Sequence, residues 1–218
     1  MCRMPDTVTV SEIFLSIQGE GTRAGRPCVL VRLAGCDLRC AWCDTQYAYG
    51  GGESMSLAEV LDRVRGLNCP LVELTGGEPL LQPASPELLK RLCDAGHEVL
   101  LETSGAHDIF PIDPRVVRIV DVKCPSSGET ARMLWSNLDR LRQGDEVKFV
   151  VADRADYDFA RGVISRYDLA GRCTVLVGPV AGRLAGHELA EWILADRLPV
   201  RLNLQLHKIL WPGKDRGV

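Results

Sequence analysis

Three cysteines lie close together in the first quarter of the chain. Cys36, Cys40 and Cys43 are spaced C-x3-C-x2-C, and Trp42 stands directly before the third cysteine. Three thiolates at this spacing can hold three irons of a four-iron cluster, which takes four ligands in all. Because no obvious fourth cysteine is present, one iron is left open to bind a substrate or a cofactor. The motif therefore favours an enzyme over an electron carrier.

The same three cysteines are also compatible with a structural zinc site that Cys69, Cys124 or a histidine completes. Structural zinc sites usually pair two short ligand motifs, and this chain has one such cluster. Zinc is therefore the weaker interpretation. Cys28, Cys69, Cys93 and Cys173 lie in or beside apolar runs, so we expect them to be small buried hydrophobic residues.

Length and composition suit a single α/β domain covering residues 1–218. The chain has 46% hydrophobic and 25% charged residues and a net charge of −3. A slightly acidic chain offers no overall positive field for nucleic acid, and no apolar run approaches the ~20 residues of a membrane helix. Residues 1–10 lack the basic and apolar segments of a signal peptide. We therefore expect a cytoplasmic protein that binds neither nucleic acid nor membranes.

Strand and helix signals alternate along the chain. Apolar, β-branched runs predict strands at residues 7–14, 27–34, 71–74, 98–101, 116–122, 146–151, 174–177 and 200–204. Ser56 and Glu59 form a capping-box pattern at the start of one helix, and Ser85 and Gly96 mark the ends of another. Further helices are predicted at residues 132–141, 156–167 and 187–198. This order predicts an α/β fold with a mainly parallel sheet and the helices outside it.

In parallel α/β sheets, the ligand site forms at the carboxyl ends of the strands. The residues that follow the predicted strands there are Cys36, Thr75-Gly76-Gly77-Glu78, Glu102 and Thr103, Asp121 and Lys123, and Gln205 and His207. We therefore expect these residues to share one rim of the sheet. The two loops at residues 50–52 and 125–128 could be mobile segments near that rim.

The residue types at this rim indicate their roles. Gly76 and Gly77 let a ligand approach the backbone closely, and their N–H and C=O groups suit the amino group and carboxylate of a methionyl moiety. Glu78 and Glu102 could accept hydrogen bonds from an amine or a ribose hydroxyl. Arg32 lies inside an apolar strand, and its planar guanidinium matches a substrate carboxylate bidentately.

Each of these residues also has a purely structural interpretation. Residues 75–79 could form an ordinary strand-to-helix turn, and Arg32 could be an edge-strand arginine paired with an acid. His207 could be a satisfied structural histidine, and Asp121 and Lys123 could simply pair with each other. The remaining histidines, His97, His107 and His187, are assigned no role, and Asp156 and Asp158 are interpreted as solvated acids at a helix start.

The cysteine motif, followed by a strand and then Thr-Gly-Gly-Glu-Pro, resembles the radical S-adenosylmethionine (SAM) enzymes. Further motifs narrow the resemblance to the 7-carboxy-7-deazaguanine synthases. They are residues 12–21, Gly25-Arg26-Pro27, Arg32-Leu33-Ala34-Gly35-Cys36, Cys43-Asp44-Thr45 and Gln205-Leu206-His207-Lys208. The resemblance covers nearly the whole chain and implies a partial (β/α)6 barrel of the TIM type.

The resemblance implies a step of 7-deazapurine (queuosine-type) biosynthesis. Enzymes of this family convert 6-carboxy-5,6,7,8-tetrahydropterin to 7-carboxy-7-deazaguanine with loss of ammonia. The reduced cluster cleaves SAM to a 5′-deoxyadenosyl radical, which abstracts the C6 hydrogen of the pterin before the ring contracts. The radical then recovers a hydrogen, so SAM is regenerated.

The resemblance also implies the ligand sets. Cys36, Cys40 and Cys43 would hold a [4Fe-4S] cluster, and Thr45 would give Mg2+ a hard oxygen ligand beside the substrate. The implied pterin contacts are Ile17, Gln18, Gly19, Glu20, Arg32, Thr75 and His207. The implied SAM contacts are Trp42, Cys43, Asp44, Gly76, Gly77, Glu78, Glu102, Asp121, Val122, Lys123 and Gln205.

The sequence of this chain differs from those of some relatives at two places. Some relatives have Ser-Pro-Lys where this chain has Asp121-Val122-Lys123, and the tail at residues 211–218 extends beyond the end of others.

The resemblance also implies two partners. A flavodoxin or ferredoxin is the implied electron donor, and a homodimer is the implied assembly. The alternatives are a glycyl-radical activating enzyme, whose substrate would be a protein, and a zinc or electron-transfer module.

Overall fold

The computed structural model describes residues 6–218, which contain one nine-stranded sheet. The strands are β1 Thr7–Ile17, β2 Pro27–Leu33, β3 Glu53–Ser56, β4 Leu71–Gly76, β5 Glu98–Thr103, β6 Val117–Val122, β7 Glu146–Val151, β8 Thr174–Pro179 and β9 Arg201–Leu202. Their order across the sheet is β3-β1-β2-β4-β5-β6-β7-β8-β9. β1 pairs antiparallel with β2 and β3, and all pairs from β2–β4 to β8–β9 are parallel.

Helices connect the parallel strands. They are α1 Leu57–Gly66, α2 Ser85–Asp94, α3 Ser136–Asp139, α4 Arg154–Arg166, α5 Leu169–Arg172, α6 Gly186–Asp196 and α7 Leu206–Leu210. The predicted capping box is present, because the Glu59 N–H donates to the Ser56 hydroxyl and the Glu59 carboxylate accepts from the Ser56 N–H. Gly96 follows α2 in the left-handed region, at φ 90°. The predicted starts of α1 and α2 are therefore confirmed.

The prediction of a helix over residues 132–141 was largely wrong. Only α3 forms there, because side chains take the backbone groups that a longer helix would need. Arg118 donates to the carbonyl of Arg140 at 2.9 Å and Arg172 to that of Asp139 at 2.8 Å, while the Asn137 amide bonds the Gly105 and His107 carbonyls of a neighbouring loop. These long-range bonds tie the segment to neighbouring loops and end the helix after one turn.

Short elements at the sheet edge and in the tail also differ from the predictions. β3 was not predicted, since Glu-Ser-Met-Ser contains one apolar residue, and its pairing with β1 supplies the missing stabilisation. β9 spans two residues instead of 200–204, and the side chain of Asn203 directly after it bonds Glu20 and Gly21. The short helices α5 and α7 were not predicted either.

The two faces of the sheet differ in polarity. Val29, Val31 and Leu33 of β2 are fully buried in an apolar layer with α1 and α2, while Arg32 lies on the opposite face. A second apolar layer joins β6–β8 to α4 and α6. The predicted α/β class with a mainly parallel sheet is confirmed, and the sheet is open, as in a partial barrel. Within residues 6–218, no helix is long and apolar enough to cross a membrane.

Candidate active site

The cysteine loop, residues 35–45, follows β2 and is tied to a second loop at residues 125–129. The Ala41 N–H donates to the Ser127 carbonyl at 3.0 Å, and the Arg39 N–H donates to the Glu129 carboxylate at 2.7 Å. Cys36, Cys40 and Cys43 are partly buried free thiols. The loop at 125–128, predicted near the rim, therefore lies directly beside the cysteines.

A buried aspartate anchors this second loop to α4. The carboxylate of Asp156 accepts from the Ser126 N–H at 2.9 Å and from the Ala152 N–H at 3.0 Å, and Asp156 is fully buried. The interpretation of Asp156 as a solvated acid was therefore wrong. Asp158 is half-exposed and pairs with Arg154 and Arg161, as expected for a helix-surface acid.

A histidine that sequence reasoning left without a role supports the cysteine loop. His107 Nε2 lies 3.2 Å from Asp37, and Arg132 lies 2.6 Å from the other oxygen of the same carboxylate. Arg39 also stacks on the ring of Tyr49 at 4.3 Å. The loop is thus held by side chains from three other segments.

Gly76 and Gly77 pack against the cysteine loop. The Gly77 N–H donates to the Leu33 carbonyl at 3.1 Å, and the Glu78 N–H donates to the Gly35 carbonyl at 2.8 Å. A Cβ on Gly77 would lie 2.9 Å from the Cβ of Cys36 and would overlap the Gly35 carbonyl. Only glycine fits this contact, which brings the Gly77 backbone directly against the cysteine loop.

The Glu78 side chain holds the Gly-Gly segment in place. It is fully buried and accepts hydrogen bonds from the Leu80 N–H at 2.8 Å, the Thr103 hydroxyl at 2.9 Å and the Ser104 N–H at 2.7 Å. Both carboxylate oxygens are therefore bonded within the protein. Glu78 stabilises the loop, because the carboxylate that was predicted to accept hydrogen bonds from a ligand accepts them from Leu80, Thr103 and Ser104 in this structure.

One face of the sheet is lined by polar and charged side chains. Strand register places Glu12, Arg32, Glu73, Thr75, Glu102, Asp121, Glu146 and Lys148 on this face. Thr75, Gly76, Glu102 and Thr103 lie inside β4 and β5 rather than after them, because both strands extend two residues beyond the predicted ends. The predicted residues still converge, since this inner face leads to the cysteine loop at the strand ends.

Lys148 lies at the centre of this inner face and contacts several carboxylates. Its Nζ lies 3.2 Å from Glu20 Oε2, 4.0 Å from Asp121 Oδ2, and within hydrogen-bonding distance of Glu102. Lys123 pairs with Asp121 at 2.6 Å, as one structural interpretation predicted. Burial alone would lower the pKa of Lys148, but Glu102, Glu20 and Asp121 together hold it well above its ordinary value.

A buried carboxyl group orients Gln18. Glu73 is 3% exposed and accepts a hydrogen bond from the Gln18 amide, whose oxygen accepts from the Glu20 N–H at 3.2 Å. Burial, reinforced by the nearby Glu102, raises the pKa of Glu73 to about 8. Glu73 is therefore a largely neutral acid at pH 7.

Arg32 is held by two residues near the cysteine loop. Its Nε lies 2.8 Å from Glu12 Oε1, which also accepts from the Tyr47 hydroxyl at 2.8 Å. Its Nη groups have no hydrogen-bond partner within residues 6–218 and remain available to a ligand. β2 lies between β1 and β4, so the interpretation of Arg32 as an edge-strand residue was wrong.

The tail at residues 211–218 returns to the same place. The Gly217 N–H lies 3.3 Å from Glu12 Oε2, and Arg216 stacks on the Tyr47 ring at 4.3 Å. The tail therefore covers the Glu12–Arg32 pair on the side of the cysteine loop.

The segment after β9 packs against the end of β1. The Leu206 N–H donates to the Gly19 carbonyl at 3.0 Å, and the Gln205 amide donates to Glu20 at 3.0 Å. A Cβ on Gly19 would lie 2.7 Å from His207 Nδ1. His207 therefore lies directly against the segment of residues 17–20, as both were predicted to line one site.

Asp44 and Thr45 end the cysteine loop beside α7. Lys208 pairs with Asp44 at 2.7 Å, and the Thr45 hydroxyl donates to the same carboxylate at 3.0 Å. Within residues 6–218, no three His, Cys, Asp or Glu side chains gather around one metal ion. A four-iron cluster is larger and takes one thiolate per iron. Three cysteines on one loop match the one-thiolate-per-iron ligation of such a cluster.

Comparisons with known proteins identify the family of this chain. A model of the radical SAM superfamily matches residues 30–120, which contain the cysteine loop and the Gly-Gly segment. A 7-carboxy-7-deazaguanine synthase of Chlorobaculum tepidum is 48% identical over 97% of this chain and 97% of its own length. The chain belongs to the 7-carboxy-7-deazaguanine synthase family. A synthase of Koribacter versatilis is 44% identical over 96% of this chain and 99% of its own length.

A solved structure supports the fold of this synthase family member. The crystal structure of QueE from Escherichia coli matches with a TM-score of 0.77 at 24% identity, covering 91% of this chain and 94% of that one. Near full-length similarity to synthases disfavours the two alternatives, a glycyl-radical activating enzyme and a zinc or electron-transfer module. Membership of the radical SAM superfamily implies a [4Fe-4S] cluster and SAM as cofactors.

The remaining predicted residues have simple placements. Ile17 is the last residue of β1, and the Trp42 ring lies 5.5 Å from the guanidinium of Arg183. The side chain of Val122 is fully buried in the second apolar layer, so only its backbone faces the site. Cys69 and Cys124 are buried in the same way, as small hydrophobic residues.

The sequence analysis did not identify several residues that lie on or next to the inner face as part of the site. Glu12, Glu73, Lys148 and Asn203 lie beside predicted site residues but were taken as parts of ordinary strands or their ends. The available signal was alternation: Glu146 and Lys148 alternate with Val147 and Phe149, which predicts one polar face. Asn203 carries no such signal, and its role depends on its contact with Glu20.

Proposed function

We propose that this chain converts 6-carboxy-5,6,7,8-tetrahydropterin to 7-carboxy-7-deazaguanine with loss of ammonia. The observation that supports this most is the charged inner face of the sheet, which leads directly to a loop with three free cysteines. A small, polar, carboxylate-bearing substrate suits a face with an arginine fork, a lysine and several carboxylates. The chain-wide similarity to synthases of the same name supports the same reaction.

The cysteine loop and the Gly-Gly segment form the proposed cofactor subsite. Cys36, Cys40 and Cys43 would hold the cluster, whose chemistry with SAM is one-electron cleavage that yields a carbon-centred radical. Gly76 and Gly77 would offer backbone groups to the amino acid end of SAM. The other proposed contacts are Trp42, Asp44, Glu102, Asp121, Lys123 and Gln205, with the backbone of Val122, while Glu78 holds the Gly-Gly segment.

The free Nη groups of Arg32 would bind the pterin carboxylate, because Glu12 leaves that side of the guanidinium open. Gln18, oriented by Glu73, would bind the ring edge, which carries both donors and acceptors. Thr75 and His207 would line the same subsite. The other proposed contacts are Ile17, Gly19 and Glu20.

A magnesium ion would bind at Thr45. Mg2+ keeps several waters and takes few protein ligands, so one hydroxyl together with substrate oxygens is a sufficient set. Lys208 neutralises the neighbouring Asp44, which leaves Thr45 as the proposed direct ligand.

The proposed partners and setting follow from the chemistry. A one-electron reaction suits a donor of the flavodoxin or ferredoxin type, and a two-fold homodimer is the commonest assembly among soluble oligomers in general. Eight free cysteines within residues 6–218 suit a reducing compartment such as the cytoplasm. Residues 1–218 would form one radical SAM core domain.

The test is an anaerobic assay of the reconstituted protein with 6-carboxytetrahydropterin, SAM, Mg2+ and a reductant, read by mass spectrometry. Formation of 7-carboxy-7-deazaguanine without stoichiometric loss of SAM is the expected result. Cleavage of SAM without that product would retain the radical chemistry and reject the substrate.

A further inference from the structure

Lys148 is a buried cation to which the proposed ligand contacts above give no role. It lies on β7 opposite Asp121 of β6, and its side chain is 6% exposed. Its ammonium group has three N–H donors, and Glu20 and Glu102 each accept one of them. These two carboxylates come from segments that are far apart in sequence.

On one side, Lys148 is connected to the proposed pterin subsite. Glu20 is a proposed pterin contact that follows Gln18 and Gly19, and it also accepts hydrogen bonds from the side-chain amides of Asn203 at 2.8 Å and of Gln205, a proposed SAM contact, at 3.0 Å. Asn203 also accepts from the Gly21 N–H at 2.8 Å. The position of Glu20 therefore sets the position of both the β1 end and the segment before α7.

On the other side, Lys148 is connected to the proposed SAM subsite. Glu102 is itself a proposed SAM contact, and it accepts a hydrogen bond at 3.3 Å from the hydroxyl of Thr75, a proposed pterin contact one residue before the Gly-Gly segment. Asp121 lies 4.0 Å from Lys148 and 2.6 Å from Lys123. One ammonium group is thus shared between carboxylates on the two sides.

We propose that Lys148 couples the two subsites, so that the pterin and SAM each strengthen the binding of the other through the shared ammonium group. A ligand that fixes Glu20 also fixes the ammonium group, which then holds Glu102 in its binding position, and the reverse holds for a ligand at Glu102. Coupling of this kind is reciprocal. It presupposes the proposed function, because the two subsites are those assigned to the pterin and to SAM.

The charge on Lys148 is needed because the surrounding groups are mainly anionic. The groups that face it are Glu20, Glu102, Asp121, Glu73 and Lys123. Without the ammonium group, Glu20 and Glu102 would face each other uncompensated in a buried site, which is unfavourable for both. Each would then adjust to its own ligand independently.

The test measures SAM binding to the anaerobically reconstituted protein, with and without 6-carboxytetrahydropterin and without reductant, so that no turnover occurs. In the wild type, saturating pterin should lower the dissociation constant of SAM by about five-fold or more, the lower end of typical coupling. In Lys148→Met the pterin should change the dissociation constant of SAM by less than about two-fold. Full coupling in this variant would overturn the proposal.

Two further variants separate coupling from general damage. Lys123→Met removes a neighbouring, partly buried cation that contacts Asp121 but not Glu20, so SAM should bind more weakly while the pterin effect persists. Glu20→Gln removes the charge at the far end of the link and should abolish the pterin effect even if Lys148→Met does not fold. Coupling retained in Glu20→Gln would overturn the proposal independently.

The outcome also distinguishes this proposal from the proposed function. Wild-type protein that forms no 7-carboxy-7-deazaguanine but shows the lysine-dependent coupling would reject the reaction and support the link. Wild-type protein that forms the product would support the reaction. If Lys148→Met and Glu20→Gln both keep the full effect of the pterin on SAM binding, the link through Lys148 is rejected.

Discussion

Arg32 and Glu12 form an ion pair in which one side of the guanidinium remains open. Nε of Arg32 lies 2.8 Å from Oε1 of Glu12. The side chain of Arg32 is 13% exposed and that of Glu12 is 17% exposed. Tyr47 donates to the same oxygen and fixes the carboxylate. Although burial opposes the charge, the neighbouring Tyr47 and Glu12 raise the pKa of Arg32, so it stays cationic. This geometry would present a fixed cation to the carboxylate of the proposed pterin substrate.

Replacement of Arg32 by alanine should weaken pterin binding and leave SAM binding intact. A charge-assisted hydrogen bond is worth about 1.5–3 kcal/mol, so KM should rise about 10- to 100-fold. Steady-state kinetics and SAM binding measured on the same preparation test this. Arg26→Ala is the matched control, because Arg26 is an exposed arginine paired with Glu98 and should have little effect. Wild-type KM in Arg32→Ala would remove Arg32 from the substrate site.

Replacement of Gly77 by alanine should prevent cluster assembly. The new methyl group would overlap the Gly35 carbonyl and press on Cys36, which moves a cluster ligand. The measurement is the iron content per chain after anaerobic reconstitution, which should fall well below that of the wild type. Gly162→Ala is the control: Gly162 lies within α4 with open space around it, so alanine should add about 0.5–1 kcal/mol of stability. Normal iron content in Gly77→Ala would contradict the packing argument.

Much of the site was predictable because its signals are local. The C-x3-C-x2-C spacing and the Gly-Gly segment each lie within a few residues, and β7 was predicted with its observed ends, Glu146–Val151. The contacts that complete the site are not local. Gln18 bonds Glu73 over 55 residues, Lys148 bonds Glu20 over 128, and Gly217 bonds Glu12 over 205. Such pairs depend on strand order, which no single segment encodes.

Stability should fall with rising pH because of Glu73. Its pKa is raised to about 8 in the folded protein, above the ordinary 4.5, so the folded state binds more protons than the unfolded state between these values. The free energy of unfolding therefore decreases as pH rises from about 5 to 8. Glu73→Gln removes the titrating proton and keeps an oxygen that accepts from Gln18.

The Glu73→Gln variant should consequently gain stability relative to the wild type as pH increases. Thermal unfolding of both reconstituted proteins between pH 6 and pH 8.5 measures this, and the difference in Tm should widen steadily. Glu59→Gln is the control: hydrogen bonds from Ser56 lower the pKa of this exposed carboxyl group, so Glu59 is ionised in both states across this range and its replacement should shift Tm by the same amount at each pH. A pH-independent difference in Tm between Glu73→Gln and wild type would contradict a neutral Glu73.

Replacement of Thr45 by valine should weaken the response to Mg2+. Valine keeps the shape of threonine but has no oxygen ligand. The Mg2+ concentration that gives half-maximal activity should therefore rise by about ten-fold or more. Thr45→Ser retains the hydroxyl and should behave like the wild type. Activity titrated against Mg2+ after chelation of the stock enzyme provides the measurement. An unchanged Mg2+ dependence in Thr45→Val would place the ion elsewhere.

The tail should contribute to substrate retention through Arg216. Its guanidinium stacks on Tyr47, which in turn holds Glu12 beside Arg32, so the tail would help to fix the cation proposed to bind the substrate carboxylate. A cation–π contact at a partly exposed position is worth about 0.5–1 kcal/mol, which corresponds to a two- to five-fold rise in KM for Arg216→Ala. Lys214→Ala, in the same tail but without such a stacking contact within residues 6–218, serves as the control and should leave KM unchanged. Equal effects from both variants would show that the tail acts through its overall charge, and no effect from Arg216→Ala would show that the stack does not support the Glu12–Arg32 pair.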